Sequence, residues 1–241
     1  MSEETTTKKR ARSSQRRPGK RTKAARANVP DQPVPLAAAI ELVKGFQGPK
    51  FDQSVELIFN LGVDVKQADQ MVRSSISLPH GIGKSNRVVA FVDESNKQAA
   101  LEAGAIMAGG EDMVGEMEKA NFTDFDVAVA EPSMMRHVGK LGKVLGPKGL
   151  MPSPKAGTVT ADPVTAIKEY AAGKQEFRAD AGGNVHTLIG KASFDTPKLV
   201  ENAEALIAEV KRLKPESSKG VYMKKAVVKA TMTPAVELQV S

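Results

Sequence analysis

Residues 86–93 read NRVVAFVD and residues 125–130 read FDVAVA. Both are short, nearly unbroken apolar runs, the composition of strands buried on both faces. Helical patterns follow them: 95–103 ending at Gly104, about 111–119, 132–141 opened by Pro132, and 163–172 opened by Pro163. Strands alternating with helices predict βαβ units and a parallel sheet.

The texture differs on either side. Upstream, 34–45 (VPLAAAIELVKG) predicts a helix, and 53–61 (QSVELIFNL) alternates, with Val55, Leu57, Phe59 and Leu61 on one face. That is a strand with a single buried side; 74–78 (SSISL) is another, stopped by Pro79. Downstream, 185–189, 221–230 and 235–240 predict strands. Between them 196–213 predicts a helix with Leu199, Ala203, Leu206, Val210 and Leu213 on one face. The two ends therefore share one texture and the middle another. The fold class is α/β, with a discontinuous split α+β domain from both chain ends (28–81 and 174–241) and an inserted βαβ domain (82–173). Gly81, Gly83 and Gly173 stand at the junctions as hinges.

The chain has 241 residues, with 35 Lys+Arg against 28 Asp+Glu, for a net charge of +7. Ten basic side chains crowd residues 8–26, so residues 1–27 carry +8 and the remaining body −1. Residues 1–27 hold almost nothing apolar, which predicts a disordered basic tail with a polyanion, first of all nucleic acid, as partner. No apolar h-region follows these charges, so a secretory signal is not expected. No apolar run reaches the ~18 residues of a membrane span. Cysteine is absent, which removes disulfides and thiolate metal sites. With 8 Phe, 2 Tyr and no Trp, stacking of single-stranded bases on aromatic platforms is not expected.

Enzyme motifs fail on spacing. HGIGKS (80–85) resembles the end of a phosphate loop, but the glycine required five residues before Gly83 is Leu78, and the motif precedes its strand. The dinucleotide fingerprint needs a third glycine where Asn86 stands. His80, His137 and His186 have no partner at metal-ligand spacing. No cofactor, metal or enzymatic activity is expected. The informative stretch is GKLGKVLGPKGLMPSPKAGTV (139–159), which places Lys140, Lys143, Lys148 and Lys155 among glycines and prolines. Free backbone N–H groups and lysines together suit phosphate contacts; a solvated connector is an equal reading of the same residues.

That stretch resembles the signature of the large-subunit ribosomal protein that forms the mobile stalk beside the tRNA exit site, the ribosomal protein "L-one" family in its bacterial type. KFDQSVELIFNLGVD (50–64), DQMVRSSISLPHGIGKSNRV (69–88), FRADAGGNVHTLIGKASF (177–194) and KGVYMKKAVVKATM (219–232) resemble further segments of that family in order. The resemblance implies a first domain that grips large-subunit rRNA and an inserted Rossmann-like domain without nucleotide. It implies a monomer within the large subunit of the cytoplasmic ribosome that assists tRNA movement and release at the exit site. It also implies repression of translation from the protein's own operon mRNA. A non-ribosomal RNA-binding relative, such as a processing factor, is the alternative on the same fold.

The rRNA-binding residues that carry over are Lys50, Phe51, Ser54, Glu56, Asp180, Thr231, Met232 and Thr233. The lysines of 139–159 become the tRNA-facing loop. On the residues alone Phe51 and Met232 read as core side chains; the resemblance puts them on the surface. Thr233 replaces the family's glycine, where a side chain would hinder close approach of RNA, and Ala181 stands where related sequences often have lysine.

Overall fold

The computed structural model describes residues 19–67, 69–120 and 122–239. The part of the expected disordered tail that covers 1–18 lies outside the described residues, as does the last residue of the strand expected over 235–240. In chain order the elements are α1 (Lys20–Ala27), α2 (Leu36–Gly45), β1 (Ser54–Leu61), β2 (Arg73–Ile76), β3 (Val88–Phe91), α3 (Glu94–Glu102), β4 (Met107–Gly109), α4 (Glu111–Ala120) and β5 (Val127–Ala130). Then follow α5 (Met135–Val138), α6 (Gly142–Leu145), α7 (Pro163–Ala171), β6 (Gln175–Arg178), β7 (Asn184–Lys191), α8 (Thr196–Arg212), β8 (Met223–Ala230) and β9 (Val236–Leu238).

The alternation of β1 is realised as drawn from the sequence. Val55, Leu57, Phe59 and Leu61 are buried, while Ser54, Glu56, Ile58 and Asn60 face outward. β1 is central in an antiparallel sheet of order β7-β1-β8-β9. One face of this sheet packs under α2 and α8, whose Ile40, Val43, Leu199, Ala203, Leu206 and Val210 interlock with the β1 side chains. Each fully buried leucine or phenylalanine here contributes about 1.5–3 kcal/mol relative to exposure. This core draws on residues from 25 to 72 and from 177 to 238, both ends of the chain.

The unbroken apolar run of β3 has the expected cause. β3 pairs in parallel with β4 and β5, in the order β4-β3-β5. Val89 and Phe91 point into a core closed by α4, α5 and α6; Val88, Ala90 and Val92 point into another closed by α3 and α7. β2 and β6 form a separate two-stranded antiparallel ribbon.

Two expectations are corrected, and two strands were not foreseen. Residues 20–27, read as part of a disordered tail, form helix α1, anchored in the first core by buried Ala25. The helix expected over 132–141 does not begin at Pro132. It is the single turn α5, continued through a 3-10 turn at Gly139–Leu141 into α6, and the backbone leaves regular α geometry at Leu141 (φ −78°, ψ −1°). β4 and β6, three and four residues long, carry too little alternation to be seen in the sequence.

Gly81, Gly83 and Gly173 all have positive φ (62°, 72° and 104°), the region that disfavours side chains. At Gly83 packing adds to this, since a Cβ would lie 2.9 Å from the Phe194 ring and 3.1 Å from Lys191 Cγ.

Candidate nucleic-acid interface

β1 begins and β8 ends at the same edge of the sheet, with Val55 opposite Ala230 and Ser54 opposite Lys191 of β7. Three turns therefore converge there: residues 50–53, 192–195 and 231–235. Hydrogen bonds lock them together. Gln53, 6% exposed, accepts from the Met232 N–H through Oε1 at 2.9 Å. Asp52 accepts from the N–H and hydroxyl of Ser193 at 3.1 and 2.8 Å. The Thr231 N–H donates to the Ser54 carbonyl at 3.1 Å, and the Ser54 N–H donates to Thr231 Oγ1 at 3.2 Å. Lys191 Nζ reaches Ser54 Oγ at 2.9 Å.

On this fixed base two large apolar side chains stand bare: Phe51 is 54% exposed and Met232 51%. Both expectations of core packing are therefore corrected. Phe51 precedes the strand, so it escapes the parity that buries Val55 and Leu57; Met232 follows the last ladder pair of β8 and turns outward. Lys50 is exposed beside Phe51. On the outer face of the sheet Glu56 pairs with Lys229 at 3.1 Å. Thr233 does not project across this surface. Its Oγ1 accepts from the Ala230 N–H at 2.9 Å, so the hydroxyl is folded back to cap the end of β8.

Seven of the eight expected residues thus gather at one sheet edge. Asp180 does not join them. It lies in the turn before β7, where Asn184 faces Asn60, at the other end of β1. Six residues of strand separate Ser54 from Asn60, about 20 Å. Asp180 Oδ1 accepts from the Asn184 and Gly182 N–H groups at 2.7 and 2.8 Å. The Asn184 backbone N–H, then its side chain, holds the carboxyl below its ordinary range.

Residues 139–159 offer lysine charge, and part of their backbone is engaged within the segment. Several N–H groups are consumed by turns: Gly146 to Gly142, Gly149 to Gly146, Leu150 to Leu145, and Gly157 to Pro154. Lys140 pairs with Glu111 at 3.2 Å, and His137 Nδ1 lies 3.1 Å from the same oxygen without hydrogen-bond alignment. Lys140, then His137, lowers the Glu111 carboxyl. Lys148 donates to the Thr123 hydroxyl. Lys143 and Lys155 are exposed and have no ion pair among the described residues. Lys148 also lines a cleft of about 450 Å³ together with Ile82, Lys84, Tyr170, Arg178 and Leu188 of the outer sheet face.

Sequence reasoning missed Asp52, Gln53 and Lys191 as organisers of the site. Gln53 carried a signal, being a polar residue at the buried parity of β1. Lys191 carried none, because its reach to Ser54 depends on strand pairing. Among the described residues no group of three or more His, Asp or Glu side chains is placed to hold a metal ion. Nor, among them, is any helix long and apolar enough to cross a membrane.

An α/β fold whose distinctive surface is a hydrogen-bonded sheet edge bearing cations and bare apolar side chains is, by class, a binding protein. Comparison with known proteins makes the class specific: the chain belongs to the Ribosomal protein L1p/L10e family, whose model matches residues 43–234. This is a family of structural, non-enzymatic proteins. The chain is similar to the large ribosomal subunit protein uL1 of Solibacter usitatus (strain Ellin6076), 50% identical over 223 residues, 92% of this chain and 94% of that protein. It is likewise similar to the protein of the same name from Persephonella marina (strain DSM 14350 / EX-H1), 50% identical over 213 residues, 87% of this chain and 88% of the relative. A third, from Thermosipho africanus (strain TCF52B), is 47% identical over 203 residues, 84% and 88% of the two chains.

Proposed function

We propose that this chain is a structural constituent of the large ribosomal subunit in the cytoplasm, and that it binds large-subunit rRNA through the sheet edge at Phe51 and Met232. The observation that carries the reading is the exposure of these two apolar side chains on two turns that the Asp52, Gln53 and Thr231 hydrogen bonds tie to the sheet. A rigid, half-bare phenylalanine and methionine give RNA sugars and base edges a surface to pack on. Lys50 and Lys191 supply phosphate contacts, and the Glu56 carboxylate accepts from a 2′-hydroxyl. Ser54, Thr231 and Thr233 position this surface, because their hydroxyls are engaged within the protein. Asp180 fixes the turn at the far end of the same outer face. Such a surface recognises folded RNA by shape, in keeping with a chain poor in aromatic residues.

The finer reading has four parts. The chain forms two domains, one from residues 28–81 and 174–241, with α1 packed on it, and one from 82–173, a division supported by a first core drawn from residues 25–72 and 177–238 and two further cores drawn from 88–170. Gly81, Gly83 and Gly173 act as hinges between them. Lys140, Lys143, Lys148 and Lys155 face tRNA at the exit site, where the inserted domain assists tRNA movement and release. The same sheet edge binds the chain's own operon mRNA and represses its translation.

The test is binding of the full chain to a stalk-sized large-subunit rRNA fragment and to an unrelated hairpin across a salt series. The reading predicts that preference for the stalk fragment survives at high salt, where non-specific phosphate binding has collapsed. Equal affinities falling together would overturn it.

A further inference from the structure

Helix α1 is an odd object by stability alone. Its sequence KRTKAARA holds four cations and no acid, and its N-cap Gly19 makes no side-chain capping bond. Lys20 and Arg21 sit in the first turn, where the helix dipole disfavours positive charge. Lys20, Lys23 and Arg26 follow one another at spacings of three, so each side chain stands beside a like charge, which costs about 0.2–0.5 kcal/mol per pair. Only Ala25 is buried. At about 100° per residue, Lys20, Lys23 and Arg26 span an arc of about 120° on the side away from Ala25. All three are exposed, and none has an ion pair among the described residues.

The C-terminal end of the helix is linked to the sheet edge through the end of α2. Asn28, its C-cap, lines a shallow cavity with Glu41, Leu42, Gly45 and Phe46 at the end of α2. Lys44 of that same turn donates to the Phe194 carbonyl at 2.5 Å, next to the Asp52–Ser193 contact. From Phe46 the chain runs five residues to Phe51, at most about 17 Å.

We infer that the Lys20–Lys23–Arg26 face of α1 is a second RNA-binding surface, which takes phosphates of the same rRNA that the Phe51–Met232 edge engages. This inference rests on the rRNA-binding reading. A polyanion removes the like-charge penalty that the helix otherwise bears, and continuity with the edge selects RNA over an acidic protein. Its contribution is electrostatic: it adds affinity through counterion release and adds no discrimination between RNAs.

The test is Lys20→Gln/Lys23→Gln/Arg26→Gln in the full chain, with glutamine chosen to keep helix propensity. Three lost phosphate contacts make the slope of log K against log salt shallower by about 2–3, and affinity at about 0.1 M salt falls about tenfold or more. Preference for the stalk fragment over the hairpin is retained. The Tm is unchanged or higher, because like-charge repulsion has been removed. A Lys20→Arg/Lys23→Arg/Arg26→Lys variant binds as the parent does. Unchanged affinity and slope would overturn the inference. So would loss of binding with a Tm drop of several degrees, which would assign these side chains to the fold. A parallel Phe51→Ala arm separates the two readings: if that variant keeps full preference for the stalk fragment, the edge reading fails, whatever α1 does.

Discussion

Asn202 is the residue whose replacement the structure penalises most clearly. It lies on α8, is 0% exposed, and its amide satisfies three backbone groups. Nδ2 donates to the Ile189 carbonyl at 2.8 Å and to the Gly81 carbonyl at 3.0 Å, and Oδ1 accepts from the His80 N–H at 3.1 Å. The Ile189 carbonyl needs this donor because Val55 and Glu56 pair with Gly190 and Leu188, leaving Ile189 as the extra residue of a bulge. Asn202→Ala leaves one N–H and two carbonyls without partners. At about 1–3 kcal/mol for each unsatisfied buried group, with some relief from water near the half-exposed His80, the loss is about 3–5 kcal/mol. That is a large share of a typical 5–15 kcal/mol total. The adjacent His80–Glu201 contact is largely exposed, so Glu201→Ala costs about 1 kcal/mol or less. Urea unfolding of both variants measures the difference, and amide exchange reports whether His80 and Gly81 lose protection. If Asn202→Ala costs under about 1 kcal/mol, the amide does not anchor the junction and the reasoning is refuted.

Tyr170→Phe removes a buried hydroxyl that donates to the Ala156 carbonyl at 2.6 Å; a stability loss of about 1–2 kcal/mol is expected in chemical denaturation. Thr233→Gly deletes the cap on the Ala230 N–H and costs about 1 kcal/mol, while RNA affinity changes less than about twofold in filter binding, because the side chain is already turned from the surface. Asp180→Asn acts through pH. The folded carboxyl is depressed, so it contributes stability above its unfolded pKa of about 3.9, and that stability is lost as pH falls through the lower folded value. The variant therefore has a lower Tm at pH 7, and its Tm falls less than the parent's as pH drops below about 4.

Much of the fold was legible because burial is one-sided in some strands and two-sided in others. The alternation of 53–61 and the continuous run of 86–93 announced different environments, and both were found. The split helical segment 135–145 was not legible, since glycines at 139 and 142 permit but do not dictate a change of helix type. Helix α1 escaped for a related reason. Its charge matched a disordered tail, and one alanine contact is invisible to composition. At the candidate site, residue types alone put Phe51 and Met232 in the core, and only resemblance moved them out. Their exposure follows from strand ends and turn geometry, which hydropathy does not encode. In 139–159 several N–H groups close the segment's own turns, which glycine content does not reveal.

The most direct test of the central claim is the double variant Phe51→Ala/Met232→Ala, measured against the parent for Tm and for preference between the stalk fragment and the hairpin. Both side chains are exposed, so stability changes by no more than about 0.5 kcal/mol for each. The account predicts an unchanged Tm with preference for the stalk fragment abolished at high salt. An intact preference at an unchanged Tm would place the RNA-binding surface elsewhere on the protein.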